Sequence, residues 1–554
     1  MLNFILGRNN SGKTEKIRTL IAERASENKK CILIVPEQFS FESERSIRGK
    51  IGAQKMLNVD ILSFTRLAFV INEQYGKALN KTIDDGTRKV MMSLSLEALS
   101  GKLEYFKKFS SKPTLLSNLL TFVTELKQCA VSPDEIAEVS EKTENKSLGK
   151  KLSELALIAA TYDALSSRSF FDDENLLTVA ADMISETDFF DGKAVYFDAF
   201  CGFTKQERNC IKSILPKAEN VYISLCTDRD LSREGISVFE NVNSEFSYLK
   251  ECAAEQNVSV SQPEILNVKE DGRSPELVYL EKYLCGEESE PYKKECENIV
   301  VCAAGNMADE ADFVACEIKK LLRCDPTLRC RNIAVIERTA GTYDKELTES
   351  FRKYGVPIFE DKRKPIGVQP VMVFVKCLLM LCAESFSTEN FMRLLKTGLT
   401  ALSADEISEL ENYAFIWNID GSKWRRDFTE NPNGLGVDVT EKSQETLIRL
   451  NDIRKKSVLP ILTFKKAFED ADGEKKSELI YNFLIKNGVT AKLREKTEYL
   501  ISSGDTVLSE EQDTVWETLM DMLGKMASAI GETVVTPKRY SELFDILLSA
   551  VTLG

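Results

Sequence analysis

The stretch LNFILGRNNSGKTEKIR, residues 2–18, begins as a short apolar run and continues into a glycine-rich loop with a lysine and a threonine. Residues 2–6 predict a β-strand, and residues 12–28 predict a helix with Gly12 at its N-terminal end. Between them, GRNNSGKT fits the pattern G-x-x-x-x-G-K-[S/T]. Strand, loop and helix follow in the order that a phosphate-binding loop requires, so this stretch predicts an α/β fold and a nucleotide site.

Each residue type in the loop has a chemical reason. Glycines let the backbone turn tightly, so that successive N–H groups point at phosphate oxygens. The following helix presents its positive end to the anion. Lys13 would reach the β- and γ-phosphates, and Thr14 would ligand Mg²⁺. The predicted nucleotide-binding residues are Gly7, Arg8, Asn9, Asn10, Ser11, Gly12, Lys13 and Thr14. The alternative is a glycine-rich turn with an incidental lysine.

The pattern of strand and helix continues outward from the loop. CILIV (31–35) and NVDIL (58–62) predict a second and a third strand, and AVYFDAF (194–200) and NVYISLC (220–226) predict two more. Residues 67–187, between these pairs, have helical periodicity. Strands alternating with helices predict a parallel sheet with helices on its faces, here with a helical block inserted.

The second half of the chain is predicted to begin another α/β unit. IVVCAA (299–304) and NIAVIER (332–338) resemble strands, and residues 308–322 form an amphipathic helical pattern. The predicted boundaries are residues 1–66 with 188–265 for the first α/β domain, 67–187 for its helical insertion, 266–297 for a linker, 298–384 for the second α/β domain, and 385–554 for a mostly helical insertion, which is expected to be truncated.

Composition excludes several kinds of chemistry. The 554 residues contain 43% apolar and 29% charged residues, as in ordinary globular proteins. There is no histidine, which excludes histidine metal sites and Ser-His-Asp triads. The 14 cysteines include no C-x-x-C pair and predict reduced thiols in the cytoplasm. The most apolar stretch, VMVFVKCLLMLCA (371–383), is too short to span a bilayer, so we expect a buried helix and no membrane partner.

A P-loop that hydrolyses ATP also needs an acid at the end of a neighbouring strand to hold Mg²⁺. Asp198 in VYFDAF is the candidate, with a loop-capping aspartate as the alternative. Ala199 follows, where helicase-type ATPases place a second acid to activate water. Gln206 is a candidate nucleotide sensor, although a solvated helix start, capped by Thr204 with Glu207, explains it nearly as well.

Together with the loop, two segments resemble the first motifs of superfamily 1 DNA helicases, and more closely those of the AddB family, the non-motor partners in the bacterial AddAB helicase–nucleases. They are IVPEQFSFESE (34–44) and VDILSFTRLAF (59–69). Further segments stand in that family's order: ELKQ (125–128), VYFDAFCGFTKQE (195–207), NIAVIERT (332–339), YGVPIFEDKRK (354–364) and LENYAFIWNIDGSKW (410–424). The resemblance spans essentially the whole chain.

The resemblance implies two P-loop NTPase-like domains of the helicase type with large helical insertions, and ATP with Mg²⁺ as cofactors. It implies a subunit with decayed motor motifs that works with an AddA-type helicase/nuclease subunit on double-strand DNA ends in recombinational repair and binds single-stranded DNA. Arg338 matches an arginine that reaches the γ-phosphate in active helicases. Hydrolysis by this chain alone is expected to be weak or absent.

The sequence departs from the family pattern in length. It is about half as long, and no nuclease motif or cysteine follows Cys382. Neither nuclease activity nor an iron–sulfur cluster is therefore expected in this chain, which is expected to be an N-terminal fragment or a shortened relative.

Contacts with DNA must be local, because the formal net charge is −14. The candidates combine basic and aromatic side chains, which pair with phosphates and stack on bases. They are Phe64, Arg66, Arg363 and Trp424. The alternative is that these charge runs are solvated surfaces and that Trp424 belongs to the core.

Two other classes of function remain open from the sequence. One is a P-loop small-molecule kinase or other phosphotransferase, although it would need neither the long helical insertion nor the second half. The other is a non-catalytic assembly protein in which the loop is only structural.

Overall fold

A computed structural model of the chain describes residues 1–76, 83–106, 112–169, 173–227, 238–267, 273–283, 291–339, 341–359 and 364–553. The strands are β1 (Leu2–Gly7), β2 (Cys31–Ile34), β3 (Val59–Leu62), β4 (Ala194–Phe197), β5 (Asn220–Cys226), β6 (Glu264–Ile265), β7 (Lys364–Pro365) and β8 (Thr552–Leu553).

The helices, in chain order, are α1 (Lys13–Ser26), α2 (Ser40–Ile51), α3 (Phe64–Tyr75), α4 (Asp85–Ala98), α5 (Pro113–Gln128), α6 (Pro133–Lys142), α7 (Lys146–Ser169), α8 (Asp173–Glu186), α9 (Lys205–Ile214), α10 (Glu240–Glu255), α11 (Pro275–Tyr283), α12 (Met307–Cys324), α13 (Asp344–Tyr354), α14 (Pro370–Ala383), α15 (Thr388–Leu395), α16 (Ala404–Ile416), α17 (Glu441–Glu469), α18 (Gly473–Lys486), α19 (Val489–Ser502), α20 (Thr506–Ile530) and α21 (Pro537–Ala550).

The chain divides into two compact units. The first comprises residues 1–232, 241–267 and 364–553, and the second comprises residues 233–240 and 268–363. The first unit therefore contains the sheet and most of the helices, and the second contains α11, α12 and α13.

A six-stranded parallel sheet organises the N-terminal part of the first unit, in the order β3-β2-β4-β5-β1-β6. The apolar faces of α1 and α2 pack on one side of it, through Ile17, Ile21 and Ile47. The helices α3, α8, α9 and α10 cover the other side. Five of the six strands were predicted from their apolar runs, and the α/β class with a parallel sheet is confirmed.

The helical part of the first unit has one continuous hydrophobic core. Side chains from α4, α5 and α7 pack in it together with side chains from α14 to α21. Ion pairs join the same segments, with Lys525 Nζ 2.6 Å from Asp84 Oδ2 and Arg539 Nε 2.9 Å from Glu97 Oε2. The apolar stretch 371–383 lies within α14 and is buried, as predicted.

The second unit differs from the prediction. The helix predicted at 308–322 is present as α12, which packs against α13 around Ala315, Ile318 and Phe351. The strands predicted at 299–304 and 332–338 are wrong, because the described residues of this unit contain no strand. Both segments are apolar but lack a neighbouring strand, and strands form only when their backbone groups pair with a neighbour.

In the part of the chain that the structure describes, no helix is both long and apolar enough to cross a membrane.

Candidate nucleotide-binding site

The glycine-rich loop runs from the end of β1 to the start of α1, and its two pattern glycines are required by its shape. Gly12 has φ of 89°, in the left-handed region that glycine adopts without strain. A side chain at Gly7 would collide with Ser11 Oγ and with the carbonyl oxygen of Leu266. The loop is therefore a tight turn that other residues at these two positions would distort.

The N-terminal end of α1 has the properties of an anion site. Its N-cap is Gly12, which has no side chain to accept hydrogen bonds from the first N–H groups of the helix. These groups carry the positive end of the helix dipole. Ser11 lies beside them, only 3% exposed, and its Oγ has no hydrogen-bond partner. Buried hydroxyls are normally paired, so this hydroxyl is available to a ligand or to water.

Lys13, the first residue of α1, folds back over the loop. Its Nζ donates hydrogen bonds to the carbonyl oxygens of Gly7 at 2.7 Å and of Arg8 at 2.8 Å. Burial lowers the pKa of Lys13, and the nearby Cys226 and Asp198 partly oppose this decrease. The ammonium is thus held at the mouth of the loop. A bound phosphate would supply a negative charge there and would favour the charged form of Lys13, which burial disfavours.

Asp198 directly follows β4, at the same edge of the sheet as the loop. It is only 4% exposed, its N–H donates to the carbonyl oxygen of Ile34 at 3.1 Å, and its Oδ1 accepts a hydrogen bond from Ser224 Oγ. The next residue, Ala199, has φ of 65°, a left-handed conformation that is unfavourable for alanine. The carboxylate is therefore fixed by the sheet rather than by a helix cap.

The strand β5 lies between the loop and Asp198. The sequence predicted it as a strand but did not indicate that its residues belong to the site. It lies between β1 and β4, with Cys226 in register with Gly7 on one side and Ile223 in register with Phe197 on the other. It supplies Ser224 to Asp198 and Cys226 to the surroundings of Lys13. The sequence signal that could have indicated these residues is the position of Ser224 and Cys226 at the C-terminal end of the apolar run NVYISLC (220–226).

The remaining loop residues line the same turn. Asn9 and Asn10 are exposed, and Asn10 donates its N–H to Asn9 Oδ1 at 3.1 Å. Asn10 has φ of 58°, which asparagine tolerates better than most residues. Arg8 and Thr14 are half-buried. The structure thus brings together all eight residues predicted in the loop, with Asp198 beside them.

Gln206 and Arg338, the two other predicted nucleotide contacts, belong to different units. Gln206 begins α9 on the opposite face of the sheet from α1, where its Nε2 donates to Thr178 Oγ1 at 2.9 Å. Thr204 and Glu207 form the predicted capping box, but Gln206 itself is only 5% exposed, so this helix start is not solvated at Gln206. Arg338 is exposed and belongs to the second unit.

The four predicted DNA contacts separate by burial. Trp424 is fully buried, and its Nε1 donates to Thr388 Oγ1 at 2.8 Å. Phe64 is 6% exposed and packs with Phe197, Phe200 and Phe203. Both rings are buried, so neither presents a face to solvent. The prediction that Trp424 and Phe64 stack on DNA bases is therefore wrong. Arg66 is exposed on α3, and Arg363 lies outside the described residues.

Comparison with known proteins identifies the family. A family profile described as "ADDB, N-terminal" matches residues 4–281. Three similar relatives, each named as the B subunit of an ATP-dependent helicase/deoxyribonuclease, come from Acetivibrio thermocellus, Thermoanaerobacter sp. strain X514 and Clostridium novyi, at 29%, 28% and 29% identity. These alignments cover 100% of this chain and 49%, 49% and 48% of the relatives. The chain thus spans about half the length of these relatives, and it belongs to the AddB family.

Proposed function

We propose that this chain binds MgATP at the 7–14 loop and acts as the helicase-like subunit of a complex that processes double-strand DNA ends. The observation that carries the nucleotide site is the convergence of three features: an uncapped helix start, a half-buried lysine and a buried hydroxyl without a partner. Each attracts an anionic, oxygen-rich ligand, and their order in the sequence is that of a phosphate-binding loop.

The residues present fit a Mg²⁺ ion that is shared with a nucleotide. Thr14 offers a hydroxyl and Asp198 a carboxylate, the hard oxygen donors that this ion prefers. The described residues contain no group of three Asp, Glu or Cys residues able to hold a metal. Phosphate oxygens and water would therefore complete the coordination, as is usual when Mg²⁺ accompanies a nucleotide.

Hydrolysis by this chain is proposed to be weak. Asp198 accounts for one carboxylate, and Ala199 stands where a water-activating acid would be. The backbone at Ala199 is left-handed, a conformation that is unfavourable for residues with a side chain. Replacing Ala199 with an acid would therefore not by itself restore a well-placed carboxylate. The loop would then hold a nucleotide without turning it over quickly.

The DNA and subunit assignments rest on the relatives. Their name describes one subunit of an ATP-dependent helicase/deoxyribonuclease. We propose that this chain likewise works in the cytoplasm with an AddA-type partner and binds single-stranded DNA. Arg66 is exposed on α3, and the exposed ring nearest to it along that helix is Phe69, one turn further on. This pair could contact a phosphate and a base, in place of the buried Phe64.

The finer fold assignment is also a proposal. A second P-loop NTPase-like domain over 298–384 is supported by the amphipathic α12 and α13 and by apolar segments beside them. Val300, Val301 and Ile336 in these segments are largely exposed. Exposed apolar side chains in extended backbone are what a sheet without its neighbouring strands would present.

Calorimetric titration with MgATP tests the site. Lys13→Ala should lower ATP affinity by at least about tenfold, or about 1.4 kcal/mol, because it removes a charge-assisted contact to phosphate. The matched control is Lys29→Ala, since Lys29 is exposed and its Nζ lies 2.9 Å from Glu27 Oε2. Thermal unfolding of both variants checks that they fold. Unchanged affinity in a folded Lys13→Ala protein would show that ATP does not bind at this loop.

A second titration tests the DNA assignment. An unstructured oligonucleotide should bind with an affinity that falls steeply as salt is raised, because phosphate contacts release counterions. A chain that binds ATP but no oligonucleotide at low salt would instead favour the small-molecule phosphotransferase.

A further inference from the structure

Cys226 lies against the proposed nucleotide loop. It is the last residue of β5, and its backbone is in register with Gly7, the first residue of the loop. The carbonyl oxygen of Gly7 accepts a hydrogen bond from Lys13 Nζ at 2.7 Å. Cys226 is only partly buried. The end of β5 therefore lies beside Gly7, whose carbonyl oxygen holds the ammonium that the loop uses for phosphate.

A second, independent feature marks this place as a ligand site. The Oγ of Ser11 is buried, lacks a hydrogen-bond partner and points across the loop towards Gly7, where a side chain would collide with it. Ser11 and Cys226 thus lie close to Gly7 from two different directions. A ligand that satisfies the serine would cover the surroundings of Gly7 and, with them, the thiol.

We propose that Cys226 is a modification site, at which addition of a thiol-reactive group and binding of a nucleotide exclude each other. The proposal rests on the nucleotide site described above and adds a means of regulating it. An adduct on this sulfur would occupy the mouth of the loop and would displace or cover the ammonium of Lys13. A bound triphosphate would in turn shield the sulfur from reagents.

The chemistry is ordinary thiol–disulfide exchange. Cys226 loses its proton to solvent, and the thiolate attacks one sulfur of oxidised glutathione. A Cys226–glutathione disulfide forms, the glutathione disulfide breaks, and one glutathione leaves as a thiolate. A reductant such as dithiothreitol reverses the step.

Other thiols of the first unit provide internal references. Cys31 is buried at the start of β2, and burial raises its pKa to about 12. Cys210 is buried in α9, where burial also raises its pKa. Both should react slowly whether or not ATP is present. Cys129, directly after α5, is exposed and should react quickly in both conditions.

The experiment measures the labelling rate of each cysteine in the whole chain by mass spectrometry, using iodoacetamide with and without MgATP. At about ten times the dissociation constant of ATP, the labelling rate of Cys226 should fall about tenfold, because only the free protein reacts. The rate at Cys129 should not change. Oxidised glutathione should abolish ATP binding, and dithiothreitol should restore it.

The Cys226→Ser variant tests whether the loss of ATP binding comes from this cysteine. Its ATP affinity should be the same before and after treatment with oxidised glutathione. If calorimetry shows ATP binding but Cys226 labels equally fast with ATP, or does not label at all, the inference is overturned while the nucleotide site stands. If calorimetry shows no ATP binding, both are overturned. The protection measurement on the unaltered chain decides the question even if Cys226→Ser does not fold.

Discussion

Strands of the six-stranded sheet and the apolar segment 332–338 have similar sequences but different structures. The strand β2 (CILI) is hydrogen-bonded along its length to β3 on one side and to β4 on the other. In segment 332–338 (NIAVIER), the described backbone has no strand partner, and Ile336 is 91% exposed. Two of the four residues in CILI and three of the seven in NIAVIER are β-branched, so β-branched content alone does not produce the difference.

The difference shows that a strand is stabilised by its neighbours. In the sheet of the first unit, each inner strand has its backbone groups paired on both sides and its side chains covered by helices on both faces. In the second unit, Ile333 packs against the α12–α13 cluster, but no described strand pairs with the backbone of segment 332–338. Mutations should therefore have very different effects in the two regions.

The largest contrast is expected from one substitution made in both places. Ile223→Ala in β5 removes a fully buried side chain and should lower the free energy of unfolding by about 2–5 kcal/mol. Ile336→Ala removes the same atoms from an exposed side chain and should change it by less than about 0.5 kcal/mol. Urea unfolding followed by hydrogen exchange at individual amides reports each unit separately, which matters because two units need not unfold together.

Ile336→Ala is the matched control for Ile223→Ala. A loss of about 2 kcal/mol or more at Ile336, on the same scale as the expected cavity effect, would mean that segment 332–338 is packed in solution and that the contrast is absent.

A smaller contrast is expected between two ion pairs of equal length. Arg208 Nη2 lies 2.6 Å from the buried Oε2 of Glu245 and joins α9 to α10. Arg208→Ala leaves this carboxylate buried without its partner and should cost about 2–4 kcal/mol. Lys353 Nζ lies 2.6 Å from Asp312 Oδ2 between α13 and α12, but Lys353 is exposed and Asp312 is only half-buried. Lys353→Ala should therefore cost much less.

Denaturant midpoints of the two variants, each compared with the unaltered chain, measure this difference. Arg208→Lys is the control at the buried pair, because it keeps the charge but loses the two-point contact made by Nε and Nη2. Equal losses for Arg208→Ala and Lys353→Ala would show that burial does not distinguish the pairs.

Most of the fold of the first unit could be predicted, because its elements carry local signals. The apolar runs at 31–35, 58–62 and 220–226 became strands, and Thr204 with Glu207 forms the predicted capping box of α9. The failures concern information that is not local. Segment 332–338 has strand composition, but whether a neighbour lies beside it depends on the rest of the fold.

The candidate site followed the same rule. The loop residues have a sequence pattern with a mechanism, and the structure brings them together with Asp198 as expected. Ser224 and Cys226 could not be found in this way, because only the strand order places β5 between the loop and Asp198. Trp424 and Phe64 were misjudged because an aromatic beside arginine has the same pattern on a surface and in a core.

The smallest expected effect is a pH dependence of stability in the second unit. Hydrogen bonds from Lys353 and Ser350 lower the pKa of Asp312, which joins α12 to α13. A carboxyl with a lowered folded pKa adds stability above its ordinary value of about 3.9, and this stability is lost as the pH falls through the folded value. Amide protection in α12 and α13 should therefore be constant from neutral pH down to that range and decrease below it.

Asp312→Asn is the matched variant, because it keeps the shape of the side chain without a titrating group. Other carboxylates also titrate at acidic pH, so the informative quantity is the difference between the variant and the unaltered chain. That difference should be present at neutral pH and should disappear at low pH, where Asp312 is itself protonated. A difference that stays constant over the whole range would mean that the hydrogen bonds of Asp312 do not depend on its charge. If the variant and the unaltered chain did not differ at any pH, the joint between α12 and α13 would depend on the packing of Ala315, Ile318 and Phe351 instead.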